Sequence, residues 1–313
     1  MSPEACLPAD LRGPTTTITR ITAGLSGAGV YRVEAAGQAF VLKIAGEGEP
    51  LAGWRRKLHI QQLAANAGLA PRVVHADEER RAVVSAFVAD RSFPALFGDP
   101  RTRDAALALL GRTMRRVHEI PLPPDADAED PRELLAAIWS RPLASFALPT
   151  FVGDAVRRML AEEAPTPERA PVLSHNDVNP SNLVYDGEHL LLLDWETAGP
   201  NDPFYDLAAI AVFLRLDDET CQRLLGAYDG APVTGLPARF LYLRRLVAVL
   251  CGAAFLYLAR HSGHAGATGE ETLDTTPPLA DCHQRLRAGS LSVATAEGRW
   301  WFGLALIKAS FAL

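Results

Sequence analysis

His175, Asp177 and Asn182 follow the spacing H-x-D-x-x-x-x-N, and a second aspartate, Asp194, closes the leucine run 190–193. Such residue types could serve phosphoryl transfer. An Asp can accept or orient the proton of an acceptor hydroxyl, while an Asn amide oxygen and a second carboxylate are hard donors for magnesium. A buried strand that delivers Asp194 at its exit places that charge at a cleft rather than in bulk solvent. Taken alone, the same residues would be a polar hairpin whose Asp and Asn cap turns.

A second constellation precedes the first in the chain. Residues 24–33, GLSGAGVYRV, form a glycine-rich turn between two strand-like runs, and FVLKI follows with Lys43 inside it. Glycines let backbone amides approach phosphate oxygens, and Ser26 adds a hydroxyl. A lysine flanked by Val41, Leu42 and Ile44 is costly to bury without an anion to pair with. Each piece alone is weak: Arg32 stands where G-x-G-x-x-G has its last glycine, and Lys43 could extend to solvent from an edge strand. The order of glycine turn, strand lysine, helix, hinge and H-x-D-x4-N with strand-end Asp is what argues for a nucleotide site.

The elements that must hold these residues are legible from periodicity. Residues 15–45 alternate as strands around a hairpin at 35–38, and Leu51–Asn66 has helical spacing ended by Gly68 and Pro71. Two further short strands fall within residues 73–90. Residues 103–119 are amphipathic, a Pro- and Asp-rich link follows, and helices are expected over 204–213, 220–228, 237–260 and 279–288. Residues 261–272, HSGHAGATGEET, read as a flexible segment. The expectation is an α+β chain of two lobes: a nucleotide-binding lobe at residues 1–88 and a helical lobe at 89–313 carrying the catalytic loop and the acceptor site.

The 313 residues, 48% hydrophobic and 22% charged, suit one large globular enzyme or two domains. A formal net charge of −6 argues against nucleic acid as a partner. Cys6, Cys221, Cys251 and Cys282 are scattered without a CxxC and read as reduced core thiols. The first residues lack the apolar core of a secretory signal, and the apolar runs 246–259 and 300–313 fall short of a bilayer span. A soluble, cytoplasmic protein with no membrane partner is expected. His261, His264, Cys282 and His283 lack a recognised zinc spacing.

At these residues the chain resembles the kinase-like small-molecule phosphotransferases, the superfamily of aminoglycoside phosphotransferases and choline/ethanolamine kinases. GLSGAGVYRV resembles the aminoglycoside-type phosphate loop. LGRTMRRVHEI resembles a helix of that family, and the block from SHNDVNPSN to LLLLDWETAGPNDPFYDLA resembles the choline-kinase catalytic segment. The likeness runs over about residues 24–213 and is weakest over 121–170. It implies a protein-kinase-like two-lobe fold with a small antiparallel-sheet N-lobe and a larger, mainly helical C-lobe, using ATP and Mg²⁺. Residue by residue it implies Asp177 as catalytic base with Asn179 beside it, Asn182 and Asp194 as metal ligands, and Lys43 on the α/β-phosphates. Ser26, Gly27 and Gly29 would form the phosphate loop, backbone at Ala86 and Val88 would meet adenine, Asp206 would hold the catalytic loop, and Glu196 would support it.

One departure stands out. The family pairs its strand lysine with a Glu on the following helix, yet Leu51–Asn66 contains no Glu, and Lys57 falls at that position when counted back from GLAP. Either Glu47 or Glu49 in the preceding loop substitutes for it, or the helix packs in another register. The acceptor is a small-molecule hydroxyl. An amino alcohol such as choline or ethanolamine comes first, with aromatic residues 240, 242, 255, 257, 300 and 301 as candidate ring contacts or as ordinary core. The C-terminal KASFAL is not acidic, which counts against a polycationic aminoglycoside; another antibiotic or metabolite remains an alternative. A non-catalytic nucleotide-binding module is the reading of another class, and the complete Asp177, Asn182 and Asp194 set argues against it.

Overall fold

The structure, a computed structural model, describes residues 2–21, 29–46, 48–124, 128–140, 143 and 145–313. It divides into two compact units, one of residues 1–126, 172–199 and 223–232, the other of 127–171, 200–222 and 233–313.

The first unit is built on an antiparallel sheet of five strands: β1 (Thr17–Arg20), β2 (Gly29–Ala35), β3 (Gln38–Ile44), β4 (Val73–Asp77) and β5 (Ala82–Ala86), in the order β1-β2-β3-β5-β4. The expected hairpin joins β2 and β3, with Ala35 opposite Gln38 and positive φ at both Ala36 (51°) and Gly37 (74°), the geometry of a tight two-residue turn. Alternation along β3 then sorts its side chains. Phe40 and Leu42 enter a core with Val33, Ala35, Ala82 and Val84, closed by Cys6, Leu7 and Leu11 from two 3₁₀ turns near the N-terminus. Lys43, next in sequence, must lie on the other face. There runs α1 (Leu51–Asn66), bonded to the sheet through Gln61 Nε2, which donates to Ser85 Oγ at 3.2 Å. After α2 (Phe93–Gly98) and α3 (Arg103–His118), the unit is completed by β6 (Val172–Ser174) and the hairpin β7 (Leu183–Tyr185) and β8 (Leu190–Leu192).

The second unit is helical: α4 (Pro131–Ser140), α5 (Thr150–Ala161), α6 (Pro203–Phe213), the start of α7 (Asp218–Asp229), α8 (Ala238–His261), α9 (Leu279–Arg287) and α10 (Ala296–Ser310), with a short strand β9 (Gly199–Asn201) where the chain enters it. Asp202 caps α6 by accepting from Phe204 N at 2.9 Å and also accepts from Arg239 Nε on α8 at 2.8 Å. The apolar run at 246–259, expected to be too short for a bilayer, belongs to a helix of 24 residues that is long and apolar enough by composition; 61% of its apolar window is buried in the protein. Residues 261–272 are not a free segment either: Ala267 N donates to Ala147 O at 2.8 Å, and Glu271 accepts from Thr268 and Gly269 amides. All four cysteines are free thiols, as expected.

Helix α8 meets α10 at two glycines. A Cβ at Gly252 would stand 2.5 Å from Ile307 Cγ1 and 2.9 Å from the Gly303 carbonyl, so the helices approach through missing side chains. Gly252→Ala is expected to destabilise the protein by about 1–3 kcal/mol through overpacking, despite alanine's better helix propensity. Denaturant unfolding with an unchanged slope and a lowered midpoint checks it.

Candidate active site

The hairpin β7/β8 fixes the geometry of the polar cluster. Its register pairs Leu183 with Leu192, Val184 with Leu191 and Tyr185 with Leu190, and the leucines of β8 are buried on both faces of the hairpin. Asp186 folds the turn by accepting from the Glu188 and His189 amides. One step beyond the paired residues, Leu193 N donates to Asn182 O at 2.8 Å. Asn182 and Asp194 therefore stand at one end of the hairpin. Asp194 itself adopts a left-handed backbone (φ 62°, ψ 67°), after which Trp195–Thr197 make a 3₁₀ turn.

The loop between β6 and β7 is anchored to the same end. His175, fully buried, bonds through Nε2 to Leu193 O at 2.8 Å, and its ring packs edge-on against Trp195. Thr197 Oγ1 donates to His175 O at 3.1 Å, and Asn176 Nδ2 donates to Thr197 O at 3.0 Å. Asn179 caps the 3₁₀ turn Pro180–Asn182, accepting from Ser181 N. This leaves both loop amides aimed at Asp177: Asn179 Nδ2 donates to Oδ1 at 3.0 Å and Asn182 Nδ2 donates to Oδ2 at 2.9 Å. With its nitrogen so used, Asn182 turns its amide oxygen away from the carboxylate.

Burial pushes the Asp177 carboxyl above its ordinary range. The Asn179 bond, the His175 ring and the Asn182 bond oppose that rise, and the neighbouring Asp194 charge adds to it. Lys43 shows the opposite balance. Burial would lower its pKa, but the carboxylates of Asp194 and Glu196 outweigh this and hold the ammonium above its usual value. Lys43 Nζ lies 2.7 Å from Asp194 Oδ1 and 2.8 Å from Glu196 Oε1, with the lysine side chain 27% exposed. Beside this cluster is a pocket of ≈ 90 Å³ between β3, β5 and α1, whose walls include Trp54, Lys57, Leu58, Arg81 and Val83.

The structure thus brings Asp177, Asn179 and Asn182 into one hydrogen-bonded group and joins Asp194 to Lys43. Gly29 opens β2 opposite Ile44, next to the Val30–Lys43 pair; Ser26 and Gly27 lie outside the described residues. At the end of β5, Ala86 N donates to Arg72 O and Phe87 N to Ala39 O, whereas the Val88 amide has no backbone acceptor among the described residues. Asp206 is fully buried on α6 in the second unit. Of the two substitutes proposed for the helix Glu, Glu47 lies outside the described residues, and Glu49 is committed to Lys57 at 3.0 Å. The second partner of Lys43 is Glu196, which sequence reasoning had assigned only to support. The signal was its place two residues after Asp194 in a turn. Phe240, Tyr242 and Trp300 are core residues, whereas Phe255, Tyr257 and Trp301 are half-buried.

The model of the phosphotransferase enzyme family matches residues 17–241. Protein LicA of Haemophilus influenzae is 39% identical over 54 residues, a match spanning 17% of this chain and 20% of that protein. A choline/ethanolamine kinase family protein from Mesorhizobium loti superposes with a TM-score of 0.61 at 20% identity, over 96% of this chain and 94% of the other. A spectinomycin phosphotransferase solved with ADP and spectinomycin gives 0.59 at 13% identity, over 95% and 92%. At such identities these two structures establish a shared kinase-like fold.

The two amide bonds to Asp177 favour its charged form. Asn179→Ala is expected to raise the carboxyl's titration midpoint further above the ordinary Asp value, a shift that a ¹³C NMR titration of the carboxyl carbon would read.

Proposed function

Since the chain belongs to the phosphotransferase enzyme family, we propose that it moves the γ-phosphoryl of ATP to a hydroxyl of a small amino alcohol of the choline or ethanolamine class. The observation that carries this reading is the Asp177 carboxylate, held by two side-chain amides at the same hairpin end as the Asp194–Lys43 pair. A turn that only capped helices would have no use for both arrangements at once.

The donors present fit magnesium. Asp194 offers a carboxylate and Asn182 an amide oxygen turned away from Asp177, both hard ligands. Among the described residues no group of three or more His, Cys, Asp or Glu forms a self-sufficient metal site. Such a set suits an ion that completes its shell with phosphate oxygens. Asn182 and Asp194 would hold it, and when bound it would neutralise the charge on the phosphates.

The remaining work falls to the chain itself. Lys43, which projects from a central strand, contacts the α/β-phosphates once Asp194 shares its charge with the bound nucleotide complex. The Val88 amide and nearby carbonyls meet the adenine edge. Asp177 accepts or orients the proton of the acceptor hydroxyl, and its two amides, one on each oxygen, fix the plane of the carboxylate. Catalysis of this kind rests on positioning and charge neutralisation rather than on a covalent intermediate. The amino alcohol is supported by the likeness to the Mesorhizobium loti protein and by the choline-kinase form of the catalytic block. The fold shared with the spectinomycin enzyme supports the second reading, an antibiotic acceptor.

Asp177→Asn is expected to lower turnover by about 10²–10⁴-fold while nucleotide affinity stays near wild type. A coupled ADP-release assay over choline, ethanolamine, spectinomycin and a macrolide, run beside nucleotide titration, checks both parts. Full activity of Asp177→Asn with the best acceptor would overturn the base assignment, and transfer to an antibiotic alone would replace the amino alcohol.

A further inference from the structure

We infer that Glu196 is the positioning carboxylate of Lys43 in the nucleotide-bound state, and that the Lys57–Glu49 pair occupies the place from which a helix carboxylate would otherwise act. The inference rests on the kinase reading above and adds to it.

Lys43 has two anionic partners at nearly equal distance, Asp194 at 2.7 Å and Glu196 at 2.8 Å. They are not equivalent once a metal nucleotide is bound. A carboxylate shared with a divalent cation neutralises an ammonium less, because the cation competes for its charge. Glu196 is then the partner left undivided. Its position is well fixed: the left-handed backbone at Asp194 turns the chain, Trp195 is 4% exposed with its indole nitrogen donating to Leu192 O, and Thr197 is bonded to His175. Residues 194 and 196 consequently approach the same ammonium from a single turn.

Helix α1 cannot supply this function. Its sixteen residues contain no carboxylate, and the face that lines the pocket presents Trp54, Lys57, Leu58 and Gln61, spaced as one helical stripe. The only charge that stripe brings is a second ammonium. Glu49 neutralises it, with Oε1 at 3.0 Å and Oε2 at 3.1 Å from Lys57 Nζ. Glu49 therefore limits the repulsion between Lys57 and Lys43, and it is not available to Lys43.

Four variants test this in the full chain: Glu196→Gln, Glu196→Asp, the pair Lys57→Glu with Glu49→Gln, and that pair combined with Glu196→Gln. The readouts are the affinity of a fluorescent ATP analogue with and without Mg²⁺, the melting temperature, and kcat/KM for ATP. Glu196→Gln is expected to weaken the magnesium nucleotide about tenfold or more while barely changing metal-free nucleotide, for which Asp194 still holds Lys43. The combined variant is expected to recover most of that loss, because a helix carboxylate then faces Lys43. If Glu196→Gln melts early, Glu196→Asp serves instead, with an intermediate loss recovered by the same pair. Unchanged affinity in Glu196→Gln overturns the inference. So does a loss that the helix carboxylate fails to recover, which would make Glu196 a metal ligand instead. Absence of nucleotide binding by the wild-type protein would instead overturn the kinase reading.

Discussion

The backbone of Leu193 joins the β7/β8 hairpin to the loop that carries Asp177. Its N–H donates to Asn182 and its carbonyl accepts from His175, so one residue ties the far end of the β7/β8 hairpin to both arms of the loop that carries Asp177. What holds Leu193 in place is burial of its neighbours. Leu190, Leu191 and Leu192 are 2%, 8% and 0% exposed, and transferring such side chains from water contributes about 1.5–3 kcal/mol each. Both faces of β8 are covered, so the polar groups at the hairpin's end inherit a position set by apolar packing.

The charges follow a similar logic of constraint. Lys43 occupies a strand whose alternate residues, Phe40 and Leu42, are committed to the core, so its direction is not free. An ammonium that leaves water in this way needs anions, and two carboxylates meet it. Asp177 is treated differently: among the described residues two neutral amides bond it, and burial raises its proton affinity. Two carboxylates near one another thereby acquire different electrostatic surroundings, one paired with a lysine and the other bonded by two amides.

Much of this was legible before any coordinates. Leu51–Asn66 was bounded by Gly68 and Pro71, and the hairpin at 35–38 by its Ala-Gly turn, because local backbone preferences decide such ends. The carboxylates and amides of the catalytic segment stood out by spacing within one short hairpin. What escaped was non-local. Leu7 and Leu11 lie in a stretch without periodicity, and only the face of the sheet that they cover explains their burial. The helix α10 was seen merely as an apolar run, since its middle, residues 302–307, is buried on every side and has no polar face to mark its period. Glu49, one of the two substitutes expected for Lys43, pairs with Lys57 instead, because ion pairing depends on which side chain reaches first.

Asp194 illustrates how narrowly one position can be specified. Its φ of 62° lies where side chains are seldom comfortable, and Asn, Asp and Gly are the residues that tolerate it best. Glycine would keep the backbone and forfeit the carboxylate. Glutamate would keep the charge and strain the turn. Asparagine alone retains both the conformation and an oxygen donor while removing the charge. The position therefore offers a clean separation of architecture from electrostatics, a property that few carboxylates on regular strands or helices possess.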